Sequence, residues 1–261
     1  MLNGNSLRDA VLSGANHIAN NRQKVDELNV FPVPDGDTGT NMSMTIGNAA
    51  REVTRLQDET AEAVSEATAS ALLRGARGNS GVILSLLFRG IAKGLKGCEE
   101  IDGPHIADAL NFGVEAAYKA VMKPTEGTIL TVARVAAETA RVSADEGKDP
   151  VAVFEDALEG ARKALAETPE LLPVLKKAGV VDAGGQGLVV IFEGMLSVFK
   201  DNFVIPPSDQ APAVQPSAPR NAAAEFEGEI TFTYCTEFIV KRSREKKDPL
   251  RLRAFLETIG D

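Results

Sequence analysis

The stretch Phe31-Pro-Val-Pro-Asp35-Gly-Asp37-Thr-Gly-Thr-Asn41-Met42 sets two carboxylates one residue apart on a tight turn and runs straight into an apolar helical pattern. Pro32 and Pro34 stiffen the approach and hold Val33 extended. Gly36 and Gly39 permit backbone turns that a Cβ resists. Alternate positions on such a loop aim Asp35 and Asp37 at one point, and Asn29, a short way upstream, offers a third oxygen ligand. Two anions held together repel, and the relief is a shared proton or a cation. Oxygen donors of this kind suit Mg²⁺, which takes one or two carboxylates and fills its shell with water and phosphate oxygens. Thr38, Gly39, Thr40 and Asn41 follow as the helix starts, and a helix N-terminus offers backbone N–H groups and a positive dipole end to a phosphate. Metal ligands beside a phosphate cradle point to a nucleotide–Mg²⁺ site. The plainer alternative is a surface turn with a helix cap. An EF-hand is excluded by position: with Asp35 first, Gly39 falls fifth and Ile46 twelfth, where oxygen ligands are needed.

Outside this stretch, bulk properties narrow the class. The chain has 261 residues, enough for one large domain and part of another. Apolar residues make up 44 % and aromatic ones only 5 %, with no Trp and much Ala, which favours closely packed helices over a β-sandwich. A net charge of −9 argues against nucleic-acid binding, which rests on basic surface. The same charge means that an anionic nucleotide needs metal ions to be held here. Cys98 and Cys235 lie far apart and suggest neither a disulfide framework nor a complete zinc site, so a reducing, cytoplasmic setting fits. The first residues lack a signal-peptide apolar core, and no apolar run reaches the ~20 residues of a membrane span.

Helical spacing predicts one or two helices over residues 7–28 and further helices over 40–56, 59–73, 82–95, 105–121, 128–142 and 150–166. His17 reads as a core or cap residue rather than a base, and Met42 and Met44 as packing. Two more glycine-rich turns open helices. Gly75-Ala-Arg77-Gly-Asn79-Ser80-Gly81 precedes a helix from Val82, with Asn79 or Ser80 as its cap. It fits neither the P-loop nor G-x-G-x-x-G, yet such a turn is physically an anion cradle. Thr128 is the expected cap of the next helix. Thr168-Pro169 breaks the chain ahead of a short apolar segment, and Gly179-Val-Val-Asp182-Ala183-Gly184-Gly-Gln-Gly187 introduces a last apolar helix reaching residue 199. Three such turns exceed what helix connection requires, and their tips are expected to meet at one end of a bundle. Residues 205–221 are rich in Pro, Ala and Ser and read as an exposed linker. Residues 229–240 then alternate as a strand, and 249–259 read as a helix. One strand and one helix do not make a domain, so the chain is expected to stop partway through a second module. The basic residues at 241–247 read as a solvated strand end or a docking patch.

Taken together, residues 29–42, 75–85, 126–130 and 180–187 resemble, in order, the nucleotide-binding domain shared by dihydroxyacetone kinases and the large subunit of fatty acid kinase. The resemblance implies an all-α barrel of about eight helices over residues 1–203, with ATP or ADP and two Mg²⁺ at one open end. A linker over 204–224 and the start of a middle α+β domain over 225–261 follow. In the family three acids hold the metal ions; Asp35 and Asp37 match two. The third falls near Asn29, where an extra residue within 31–34 alters the spacing and an amide oxygen would carry less charge. By the same resemblance Thr38, Gly39, Thr40 and Asn41 line the phosphates, Asn79 and Ser80 contact phosphate, and Thr128 with Asp182, Ala183 and Gly184 frames the nucleoside. Arg77 is a candidate for stabilising transition-state charge, against the alternative of a surface Arg.

The form Asn29-Val-Phe-Pro-Val-Pro-Asp35 and the later Tyr234-Cys235-Thr-Glu-Phe look like the fatty acid kinase branch. There the matching Cys binds zinc with two His of a later segment, which this chain does not reach. The implied reaction is phosphoryl transfer from ATP to the carboxylate of a fatty acid that a separate fatty-acid-binding protein presents. Rival readings are a dihydroxyacetone kinase subunit, a non-catalytic nucleotide or metal sensor, and a helical scaffold; a homodimer stays open as an assembly.

Overall fold

Leu7, Val11, Ile18 and Val25 place one buried stripe along the first helix, and similar stripes recur until, among the described residues, eight long helices bury a common interior. A computed structural model describes residues 1–57, 59–208, 249–256 and 258. The helices are α1 (Gly4–Asp26), α2 (Thr38–Val53), α3 (Ala61–Gly75), α4 (Gly78–Gly94), α5 (Gly103–Ala120), α6 (Ile129–Asp145), α7 (Pro150–Leu171), α8 (Pro173–Ala178), α9 (Ala183–Asp201) and α10 (Pro249–Leu256). Two short strands, β1 (Leu2–Asn3) and β2 (Glu100–Ile101), pair antiparallel with Leu2 opposite Ile101 at the end where α1 begins. They are too short for a period-2 signal in the sequence. The chain divides into units Met1–Arg220 and Asn221–Asp261. In the second, α10 falls within the helix expected at 249–259. The strand expected at 229–240, Cys235 and the basic residues at 241–247 lie outside the described residues.

The first unit is all-α. Each long helix packs on the next, α7 on α9 and α9 on α1, so eight helices close an up-and-down ring. The six-residue α8 is an insert before α9. Closure at the α1–α9 seam depends on Gly14 and Gly194: a Cβ on Gly194 would lie 2.7 Å from the Gly14 Cα, so the two backbones touch. Phe154, Phe192 and Phe199 fill much of the interior, with Phe154 edge-on to Phe199 at 5.1 Å between centroids. An apolar cavity of about 40 Å³ remains among them and Leu7, Val11 and Met195.

Two helix boundaries differ from expectation. α7 runs through Pro169 to Leu171 rather than stopping at residue 166. Pro169 cannot donate to the Leu165 carbonyl one turn back, and the Thr168 hydroxyl donates to that oxygen instead, at 2.7 Å. α4 begins at Gly78 rather than Val82, so Asn79 and Ser80 lie inside its first turn and Arg77 holds the cap position. Here the Thr45 hydroxyl of α2 accepts the Arg77 N–H at 3.1 Å. Gly81 lets the turn lie against that hydroxyl, 2.4 Å from where a Cβ would sit.

After α9, Asn202 adopts a left-handed conformation and the chain turns back along α1. The Ile205 N–H donates to Ser13 at 3.0 Å, Asn16 donates to the Ile205 carbonyl at 2.8 Å, and Asn20 donates to the Pro206 carbonyl at 3.0 Å while accepting the Ser208 N–H at 2.8 Å. Residues 205–208 thus form a strap running toward the C-terminal end of α1. Among the described residues no helix is long and apolar enough to cross a membrane.

Candidate nucleotide site

The acidic loop joins the last turn of α1 to the first turn of α2, and Asn29 pins it. Buried at 6 % exposure, Asn29 donates its amide N–H groups to the Val33 carbonyl and the Asp35 carboxylate, each at 2.8 Å. Its amide oxygen accepts the Thr38 hydroxyl. Asn29, expected as a third metal ligand, therefore holds Asp35 in place and spends its oxygen on Thr38 in this structure.

Asp35 and Asp37 come together as the spacing requires. Burial first, then the Asp37 charge and the hydrogen bond between the two carboxyls, push the Asp35 carboxyl above the ordinary carboxylate range. Asp37 stands at the cap position of α2, yet its side chain makes no cap hydrogen bond. The cap comes from Asp26, a residue the sequence reading passed over. The Asp26 carboxylate accepts the Thr40 N–H at 2.9 Å and the Thr40 hydroxyl at 2.8 Å. Burial raises the Asp26 carboxyl; the Thr40 and Gly39 donors oppose that rise and the nearby Asp37 charge adds to it. One signal pointed to Asp26: an acid in the last turn of a helix faces the negative end of its dipole and needs a partner elsewhere.

The donor set fits a hard divalent cation. Among the described residues no group of three His, Cys, Asp or Glu side chains encloses a metal ion, so the protein alone supplies no complete cage.

The three glycine-rich turns converge through α2. Gly39 abuts α1, where a Cβ would lie 2.3 Å from the Arg22 carbonyl oxygen. Asn41 packs on Gly78 of α4, with its amide nitrogen 2.4 Å from where a Cβ would sit, and Met42 meets Gly187 of α9 in the same way at 2.5 Å. Asn79 and Arg77 are exposed and Ser80 half-buried at the start of α4, which has no side-chain cap. On the far side, α6 and α9 start against each other. Thr128 caps α6, its hydroxyl accepting the Leu130 N–H at 3.4 Å, and Gly184 packs on Ile129. Asp182 caps α9 through the Gly185 N–H at 2.7 Å and lies buried with Ala183 and Gly184. Burial pushes the Asp182 carboxyl up to about 6, against donors on Gly185, Ile129 and Gly184. The expected site residues therefore gather at one end of the ring, in the order α4, α2, α9, α6.

The fold is a helical barrel of the kind found in dihydroxyacetone kinase. The C. freundii enzyme in complex with AMP-PNP and Mg²⁺ aligns with a TM-score of 0.55 at 18 % identity, covering 73 % of this chain and 33 % of that one. Its native form aligns at 0.51 and 19 %, covering 76 % and 35 %. At such identities the likeness establishes the fold. The family follows from sequence: residues 32–197 match the DAK2 domain, and the chain belongs to that family. It is 43 % identical over 267 residues to protein YloV of Bacillus subtilis and to an uncharacterized protein of Staphylococcus epidermidis, covering 100 % of this chain and 48 % of each relative. The chain thus spans about half the length of the curated relatives it matches.

Proposed function

We propose that this domain binds ATP with Mg²⁺ at the acidic loop and transfers the terminal phosphoryl group to the carboxylate of a fatty acid held by a separate fatty-acid-binding protein. One observation carries the reading. Asp26 caps α2, which leaves the Asp35–Asp37 pair without a capping duty, and α4, which meets the first turn of α2 where Asn41 packs on Gly78, starts with no side-chain cap. Paired acids at one helix start, with a neighbouring helix start that lacks a side-chain cap, suit a metal-bound polyphosphate.

Asp35 and Asp37 would hold the Mg²⁺ ions, two by family resemblance, and Asn29 keeps Asp35 aimed. Metal held there would neutralise charge on the transferring phosphoryl group. Asn79 and Ser80 present phosphate donors from α4, with Arg77 at the rim; Thr38, Gly39, Thr40 and Asn41 line the α2 side, where the Thr40 and Gly39 donors are held by Asp26 and the Thr38 hydroxyl by Asn29. Thr128, Asp182, Ala183 and Gly184 frame the nucleoside. In the transfer a carboxylate oxygen bonds the γ-phosphorus as the bond to the bridging oxygen breaks, giving acyl phosphate and ADP. The acceptor is already ionised near neutral pH, so no base is required and catalysis rests on positioning and charge. The fatty acid acceptor is favoured by the form of residues 29–35.

The likeness to dihydroxyacetone kinase favours a second reading, in which the acceptor is a hydroxyl on a different partner. A phosphoryl-transfer assay with ATP and Mg²⁺ separates them by supplying, in turn, an acyl-loaded carrier protein and a dihydroxyacetone-loaded one. Turnover is expected with the first and is lost in Asp35→Ala and Asp37→Ala, both still helical by circular dichroism. Turnover with the second alone would move the assignment to a hydroxyl acceptor. Near-normal turnover in either Asp variant would refute the site.

A further inference from the structure

The loop over residues 121–128 connects α5 to α6, and one carboxylate holds it. Glu126 accepts the Tyr118 hydroxyl of α5 at 2.8 Å, the Thr131 hydroxyl of α6 at 2.7 Å and the Arg134 guanidinium of α6 at 3.0 Å. Thr131 in turn accepts the Gly127 N–H at 2.8 Å. Gly127 has a φ of +81°, a conformation that L side chains rarely adopt, and a Cβ there would press on those of Leu171 and Leu172 at 3.0 Å. The turn is thereby fixed on both sides. Immediately after it, Thr128 opens α6, and the Ile129 N–H faces the Asp182 carboxylate at the start of α9. Burial works against the charge on Glu126, but donors on Thr131, Tyr118 and Arg134 hold its carboxyl below the ordinary range.

We propose that Glu126 is a positioning residue for nucleotide binding: through Tyr118, Thr131 and Arg134 it sets where Thr128 and the first turn of α6 stand against the Asp182 turn, and so sets the affinity for ATP. This rests on the reading of ATP as the ligand of this end of the barrel. Glu126 acts through its neighbours and touches no substrate. A pin that merely stabilised the fold would act like any other pin of similar strength, and the molecule carries a matched one. Asp156 of α7 accepts the Ser143 hydroxyl at 2.5 Å and the Lys148 ammonium at 2.8 Å at the opposite end of the ring.

The test is titration calorimetry of ATP with Mg²⁺ on the full chain, at a temperature where every variant is folded by circular dichroism. Glu126→Ala is expected to weaken ATP binding about tenfold, and Glu126→Gln, which keeps an acceptor but loses the charge facing Arg134, about threefold. Asp156→Ala should leave the affinity within about twofold. In turnover the Glu126 variants should raise KM for ATP and leave kcat within about twofold. Wild-type affinity in Glu126→Ala, or an equal loss in Asp156→Ala, would overturn the positioning role and leave the nucleotide reading standing. Failure of the wild-type chain to bind ATP with Mg²⁺ would overturn both.

Discussion

Replacing Asp182 by Asn should change the pH dependence of stability with a sign that its burial sets. Asp182 is 5 % exposed, and burial lifts its carboxyl from 3.8 to about 6 although the Gly185 N–H donates to it at 2.7 Å. The folded state therefore binds this proton more tightly than the unfolded chain. By linkage, Asp182 favours folding most below about pH 4, and that contribution falls away as pH rises through about 6. A shift of about two units at about 1.4 kcal/mol each amounts to about 3 kcal/mol. Asn keeps an oxygen for the Gly185 N–H and does not titrate. The stability difference between wild type and Asp182→Asn should thus move by most of this, about 2.4 kcal/mol, against the wild type between about pH 4 and pH 7. Both chains share every other titrating group, so those terms cancel. Urea unfolding of both proteins across that range, followed by far-UV circular dichroism, reads the difference directly. A difference flat to within about 0.5 kcal/mol would refute the claim that burial dominates at Asp182.

Two further outcomes follow from particular hydrogen bonds. Asp26→Ala removes the acceptor for the Thr40 N–H and hydroxyl, and should cost about 1–2 kcal/mol, as for other lost caps. Amide exchange at Thr40 should accelerate, and an unchanged rate there would mean that α2 has another cap. Asn20→Ala removes both bonds from α1 to Pro206 and Ser208; it should speed exchange at the Ser208 amide while costing only about 1 kcal/mol. Equal protection of Ser208 in that variant would show that the strap is held by other groups.

Most helices were legible because each shows the sequence pattern its burial requires: Leu7, Val11, Ile18 and Val25 recur at helical spacing and are all buried. The acidic turn was legible because its chemistry is local, with Pro, Gly and Asp within a few residues. What the sequence hid depends on residues far apart in the chain. The cap of α2 comes from Asp26, fourteen positions before Thr40. The start of α4 is set by Thr45, whose partner Arg77 is 32 residues away. Glycines at 78 and 81 looked like a turn because nothing local distinguishes a turn from a helix whose cap residue has its N–H held by a distant hydroxyl. Pro169 misled in the opposite way, since Thr168 beside it supplies the donor that the ring removes.

The placement of the site at one end follows from parity. In a closed up-and-down ring every second long helix begins at the same end, so α2, α4, α6 and α9 start where α1 finishes. The opposite starts are each closed by their own side chain: Asn3 caps α1, Thr60 caps α3, Asp102 caps α5 and Asp149 caps α7. At the site end α6 and α9 are also self-capped, by Thr128 and Asp182, whereas the cap-position side chains of α2 and α4 make no such bond. Those two helices are neighbours, joined at Asn41 and Gly78, and the Asp35–Asp37 pair lies at the α2 start. A chain of net charge −9 that wanted only stability would gain from an acid at each of these helix starts. It instead takes the α2 cap from Asp26 on a neighbouring helix and gives the α4 start a glycine-rich first turn with no acid. That asymmetry suits the proposed site for a metal-neutralised anion, because an acid capping α4 would compete with a bound phosphate for the same N–H groups.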